Sequence, residues 1–267
     1  MSTPTNRSVQ KAFSVLSSVA ELGGHVSISA LAQHAGMNVS TTHRLSRTLE
    51  HIGLLARDPT GGYRLGLALV ELGATVDQQA LLRTMARPSL RHMAQTQGMT
   101  AHLGVLDDNR MVRYLAKELP RRHFHIPTVV GCQLEAYCSS LGKVLLASLD
   151  PEVLDHYLND GPLVPLTART ITYPDRLRDH LAGVRATGCA IDDEEVIEGL
   201  RCLAVPLRAP SGRVLAAISL SGTAEQMTPE VIITARHALE HAALEIQRRL
   251  YPHGANSTGD GRDTQFA

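Results

Sequence analysis

Tryptophan is missing altogether, and aromatic residues make up only 3% of the 267 positions. The core must therefore be aliphatic, and a 43% hydrophobic content is enough to build a sizeable one. Net charge is missing too. Twenty-six Lys and Arg balance 26 Asp and Glu, so global charge does not announce a nucleic-acid partner. Cysteine is scarce: Cys132, Cys138, Cys189 and Cys202 show no Cys-x-x-Cys spacing, which argues against a zinc ribbon or a disulfide scaffold. No apolar run reaches the ~18 residues of a membrane span, and no apolar segment backs the polar residues 1–8 as in a signal peptide. The expected setting is cytoplasmic, with reduced thiols and no membrane partner.

Catalytic signatures are also lacking. There is no Gly-x-Ser-x-Gly, no His-Glu-x-x-His, no phosphate-binding loop and no strand-linked Gly-x-Gly-x-x-Gly. Ser140-Leu141-Gly142-Lys143 places a lysine one turn from a serine, as in some serine acyl-transferases. The companion strings Ser-Asp-Asn and Lys-Thr-Gly are absent, so an acyl-hydrolase using Ser140 and Lys143 is a minor alternative, and no catalytic residue is expected. Asp192-Asp193-Glu194-Glu195 resembles paired carboxylates only superficially, since four adjacent acids point in different directions and usually form a solvated turn. Arg121-Arg122-His123-Phe124-His125 is a cationic cluster that could attract an organic acid or simply stay solvated. His123 and His125 with a cysteine would suit zinc, but two histidines fall short of a ligand set. Neither metal nor cofactor is expected.

What is present is order. Residues 1–66 hold six Lys and Arg against three acids, and the remainder is mildly acidic, as for a small basic module on a near-neutral body. Apolar spacing predicts a helix over 8–22, with Val9, Phe13, Leu16 and Val19 on its apolar positions, then Gly23-Gly24. A second helix over 29–35 ends at Gly36. A third starts at a cap, Asn38 or Ser40, and runs to His51 with Leu45, Leu49 and Ile52 inward. Asp58-Pro59-Thr60-Gly61-Gly62 then joins two short apolar arms as a hairpin. Three helices and a hairpin are the order of a winged helix-turn-helix.

On the third helix Ser40, Thr41, His43, Arg44 and Arg47 mark the exposed side and its N-terminal end, where a recognition helix reads the major groove. Arginine suits the two acceptors of guanine. Arg57 and Arg64 on the hairpin are placed for phosphate or minor-groove contact. A polar helix face is more often merely solvated; it is the helix order that favours double-stranded operator DNA.

Beyond residue 66 the pattern predicts an apolar helix over 66–78 and a further helix over 80–97. Strands over 100–106 and 111–116 meet at Asp107-Asp108-Asn109-Arg110, and strands over 203–208 and 213–220 meet at Pro210-Ser211-Gly212. Helices over 139–149, 174–187 and 228–250 complete an α+β arrangement on an antiparallel sheet. Residues 251–267 read as a disordered tail. The expected units are a winged domain over 7–66, a linker helix over 67–78 and a ligand domain over 79–250.

Several strings carry a family resemblance. SISALAQHAGMNVSTTHRLSRTLEHIGLL at Ser27–Leu55, followed by GGYRLG, is similar to the DNA-binding domain of the IclR family of bacterial regulators. SSLGKVLLASL at Ser139–Leu149, TGCAIDDEEVIEGLRCLAVPL at Thr187–Leu207 and VLAAISLSG at Val214–Gly222 resemble its effector-binding domain. The resemblance spans about residues 7–250 and implies a GAF-like sensor fold, a homodimer or dimer of dimers, and a small-molecule effector that is an organic acid. By the same resemblance Leu134, Ser140, Leu141, Asp192, Cys202, Ser219 and Ser221 line the effector cavity. Spacing alone says only that Ser219 and Ser221 share one strand face. They could be ordinary strand serines, and Cys202 a buried apolar thiol. A protein-interaction adaptor is the other alternative, though it would leave the basic wing unexplained.

Overall fold

A computed structural model describes residues 5–121 and 126–252. The chain divides by contacts into two units, Met1–Asp77 and Gln78–Ala267. The Arg122–His125 part of the cationic cluster, and the predicted tail from residue 253 on, lie outside the described residues.

The first unit holds α1 (Arg7–Glu21), α2 (Ile28–His34), α3 (Val39–His51), the hairpin β1 (Leu55–Arg57) and β2 (Tyr63–Leu65), and α4 (Ala68–Ala74). Each of the first three helices starts where a side-chain oxygen satisfies an otherwise orphan amide. Asn6 accepts from Ser8 N–H at 3.0 Å, Ser27 from Ala30 N–H at 3.3 Å and Asn38 from Thr41 N–H at 2.8 Å. Val15, Val19, Val26, Leu31, Leu49, Leu55 and Tyr63 meet in one core.

Three expectations need correction here. Val9 and Phe13 are 66% and 69% exposed, because α1 turns Val15, Ser18 and Val19 inward instead. Ile52 is 53% exposed, and α3 buries Thr42, Ser46 and Leu49. The helix predicted over 66–78 shrinks to Ala68–Ala74 and buries none of its residues. Beyond it stand the β-branched Thr75 and Val76, poor helix formers.

The second unit is a six-stranded antiparallel sheet with helices on both faces. In chain order it comprises α5 (Gln78–Gln97), β3 (Thr100–Leu106), β4 (Val112–Glu118), β5 (Gln133–Leu134), α6 (Ser140–Leu146), α7 (Pro151–Asn159), α8 (Pro174–Thr187), β6 (Ala190–Asp193), β7 (Leu200–Arg208), β8 (Val214–Thr223) and α9 (Pro229–Leu250). The strand order is β5-β4-β3-β8-β7-β6. On one face Leu103, Leu203 and Ile218 pack with Leu82 and Leu90 of α5 and Leu239 and Ile246 of α9. On the other, Ala204 and Ala217 pack with Leu141 and Leu145 of α6 and Leu177 and Leu181 of α8. Because both faces are covered, the central strands are buried nearly throughout and show no clean apolar–polar alternation.

No helix among the described residues is long and apolar enough to cross a membrane.

Candidate functional site

The exposed side of α3 follows from its buried side. Thr42, Ser46 and Leu49 are buried and Leu45 is half-buried, which leaves Ser40, His43, Arg44 and Arg47 exposed and Thr41 half-exposed. Among the described residues no acid pairs with Arg44 or Arg47. Both guanidiniums therefore keep their five donors available.

The wing is built on Asp58. Its buried carboxylate accepts from Thr60 N–H at 2.8 Å, the Thr60 hydroxyl at 2.6 Å and Gly62 N–H at 2.9 Å, and it meets His25 Nδ1 at 2.9 Å. The Thr60 hydroxyl first, and His25 next, hold this carboxyl far below the usual carboxylate range. Gly62 is required there, because a Cβ would lie 2.6 Å from the Asp58 carboxylate.

The hairpin sends the two arginines expected to contact DNA to different faces. Arg57 stands opposite Tyr63, and Arg64 opposite Ala56, so the two side chains leave opposite faces of the ribbon. Arg57 donates to the Tyr63 hydroxyl at 2.8 Å, lies over that ring and pairs with Glu50 at 3.5 Å. Arg64 is exposed and has no such partner among the described residues.

In the second unit, Leu134, Ser140, Leu141, Asp192, Cys202, Ser219 and Ser221 all line a single cavity of about 130 Å³. The sheet register explains how. Asp192 of β6 pairs with Cys202 of β7, which pairs with Ser221 of β8. One row on, Ser219 stands beside His102 of β3. Residues two apart on a strand share a face, so these rows form a polar floor. Ser139 caps α6, its hydroxyl accepting from Gly142 N–H at 3.1 Å, and the first two amides of the helix, at Ser140 and Leu141, are left over at the cavity wall. Gly142 is required at this helix start because the Ala136 backbone passes close by: a Cβ there would lie 2.2 Å from the Ala136 carbonyl oxygen. Ile126, Val196, Ile197 and Leu200 supply apolar walls.

Sequence reasoning missed His102, Tyr114 and Thr128, which line the same cavity. His102 Nε2 meets the Thr128 hydroxyl at 2.9 Å, and its ring stands edge-on to Tyr114 at 5.1 Å. Burial first, and the Lys117 cation next, push this histidine down to about 3, so it is neutral near pH 7. The signal that could have found it is its strand register with Ser219. Among the described residues no Lys or Arg lines the cavity. Asp192, pushed up to about 6 mainly by burial, is the only acid among the described residues that does.

The acidic string at 192–195 is not the solvated turn expected of it. Asp192 and Glu195 are 1% and 5% exposed. Asp192 accepts from Glu195 N–H at 2.8 Å, and Glu195 is ion-paired with Lys143, itself fully buried. Lys143 also donates to the Ile191 carbonyl at 3.2 Å. Its ammonium is thus a buried structural cation held by Glu195 and the Ile191 carbonyl rather than an activator of Ser140. Only Asp193 and Glu194 meet solvent-side partners, Arg169 and Arg201.

Residues 8–59 match the family described as the IclR helix-turn-helix domain, and residues 74–248 match the bacterial transcriptional regulator IclR C-terminal family. The chain is 32% identical to the HTH-type transcriptional regulator XynR of Escherichia coli, over 93% of this chain and 99% of that one. It is 30% identical to the transcriptional repressor IclR of the same species, over 90% and 88%. Among solved structures, Thermotoga maritima IclR is 30% identical with a TM-score of 0.60, over 91% of this chain and 98% of that one. An IclR homolog from Microbacterium hydrocarbonoxydans, complexed with 4-hydroxybenzoate, is 26% identical with a TM-score of 0.61, over 92% and 99%.

Proposed function

The chain belongs to the IclR family of bacterial transcriptional regulators, and from that premise we propose that it is a ligand-responsive regulator whose effector is a small organic acid held in the 130 Å³ cavity. The relatives are regulators, not enzymes, and the first unit is a helix-turn-helix domain of the kind that binds DNA. Ser40, Thr41, His43, Arg44 and Arg47 face the bases and phosphates of operator DNA, and Arg64 touches its backbone with Arg57 in a lesser role. The expected domains keep their functions: a winged domain over 7–66, a linker over 67–78 and an effector domain over 79–250.

The single observation that carries the effector reading is that seven residues from five elements, β5, α6, β6, β7 and β8, meet around one cavity. Size and charge narrow the ligand. A cavity of about 150 Å³ holds benzene, so 130 Å³ favours an acid of a few carbons over a bulkier aromatic one. The Ser140 and Leu141 amides meet its carboxylate, Ser219 and Ser221 donate to it, and Asp192 accepts from a hydroxyl or other donor on the ligand.

The protein acts as a homodimer or a dimer of dimers in the cytoplasm. Supporting self-association, Leu67, Val70, Leu72 and Val76 are each more than half exposed along one short stretch of the first unit, and exposed apolar surface of this kind marks an interface. A bound acid favours one arrangement of the paired DNA-binding domains, and can do so only by its differential affinity for the two arrangements. The test is a gel shift on the DNA upstream of its own gene, titrated with short carboxylic acids. Binding that responds to one of them is expected; an acyl-hydrolase or an adaptor would give no shift.

A further inference from the structure

A second concave feature of the effector domain, separate from the cavity, is an open groove of about 1030 Å³ between α5 and β4. Its helix wall is an arginine stripe: Arg83, Arg87 and Arg91 recur every four residues and end at Gln95. That spacing places all four on one face over about 18 Å at 1.5 Å per residue. All four are exposed. A second hollow shares Arg91 and Gln95 and carries the groove on to Arg121. Against these cations stands one acid among the described residues, Glu118, which pairs with Arg87 at 2.9 Å. Arg83, Arg91 and Arg121 have no acidic partner among the described residues. In a chain of zero formal charge this is a local excess.

We propose that this groove is a docking site for an acidic, amphipathic segment of a partner protein. Charge complementarity fixes the sign, and the floor fixes the class. Leu115, Ala116, Pro88 and the half-exposed Val130 line the groove between its charges. Phosphates and sugars would satisfy the arginines but leave that floor wet, whereas a helix or strand with acidic and apolar side chains covers both. Pro88 adds a specific feature. It has no N–H for the carbonyl of Thr84 one turn back, and Thr84 also lines the groove. The helical ladder therefore lacks one bond at the groove wall. The inference stands independently of the effector reading.

The test uses the full chain and a fluorescein-labelled amphipathic peptide of about 15 residues, Glu on one face and Leu on the other, long enough to span the groove as a helix. Anisotropy should show binding that weakens with salt. The pair Arg83→Glu and Arg91→Glu should lower affinity about tenfold or more, as two reversed charges on a groove imply. Arg110→Glu with Arg213→Glu, in a separate hollow of the domain, should not. Both variants should melt like the parent, because the changes lie on exposed or half-exposed side chains. Equal peptide affinity in parent and Arg83/Arg91 variant overturns the proposal. So does displacement of the peptide by random-sequence DNA whose own binding falls in the same variant, which would make the groove a nucleic-acid face.

Discussion

At the scale of single residues, environment assigns different roles to chemically similar groups. Arg44 and Arg57 are both exposed on the DNA-binding unit, yet Arg57 is engaged by Tyr63 and Glu50 while Arg44 has no side-chain partner among the described residues. Arg44→Ala is therefore expected to cost about 1–3 kcal/mol of specific operator binding, with much less effect on random DNA, as measured by paired titrations. Asp192 gives a pH-dependent prediction. Its carboxyl is raised from the ordinary range to about 6, so the folded state holds that proton more tightly than the unfolded chain. The stability it contributes is full below about pH 4 and is lost as pH rises through about 6. Asp192→Asn keeps an acceptor for the Glu195 N–H and carries no charge. It should leave stability near parental at about pH 4 and raise it by roughly 2–3 kcal/mol at about pH 8. Melting curves at the two pH values check this; the same increment at both would contradict it.

At the scale of elements, the wing and α6 show how local chemistry positions a site. Arg64→Ala should make the plot of log affinity against log salt shallower by about 0.9, and Arg57→Ala should change that slope less, because its donors already face Tyr63 and Glu50. Equal changes would mean that the hairpin rearranges on DNA. On α6, removing Lys143 leaves Glu195 buried without its counter-charge. Lys143→Met should destabilise the fold by about 3–5 kcal/mol, and adding Glu195→Leu should recover most of that loss in chemical denaturation.

The elements that were legible in sequence are those with their own punctuation. Asn38 before α3, Gly36 before that, and the Asp58–Gly62 turn gave the winged unit from pattern alone. Strands β5 and β6 were missed because they span only two and four residues, too short to show alternation. Helix α7 was missed although Asp150-Pro151 is a start signal, since Leu154 and Leu158 are its only buried residues. For the cavity, Ser219 and Ser221 on one strand face followed from spacing. Asp192 and Cys202 joined them only through family resemblance, because strand order is a long-range property that spacing does not contain. His102 stayed hidden for the same reason: it lies 117 positions before Ser219 in the chain, yet pairs with it in the sheet. Glu195 read as part of a solvated turn and Lys143 as a possible activator of Ser140, because nothing local shows that the two form a buried charged pair.

At the scale of the whole molecule, a DNA-binding unit and a ligand-binding unit lie on one chain, divided at Asp77–Gln78, and the proposed function is a coupling between them. Coupling predicts that damage to the cavity alters the response to ligand and spares DNA binding without ligand. The most direct measurement is a titration of short carboxylic acids against the complex with upstream DNA, run for the parent, Ser219→Ala and Ser221→Ala. Each substitution deletes one hydroxyl and adds no bulk. If each serine donates to the effector, the acid concentration needed for half-response rises by the equivalent of about 0.5–1.5 kcal/mol, or up to about 3 kcal/mol for a charged acceptor, while ligand-free affinity for DNA stays parental. If both variants respond at the parental concentration, the cavity is not the effector site; if both lose DNA binding without any ligand, the serines hold the fold and the account of the cavity is wrong.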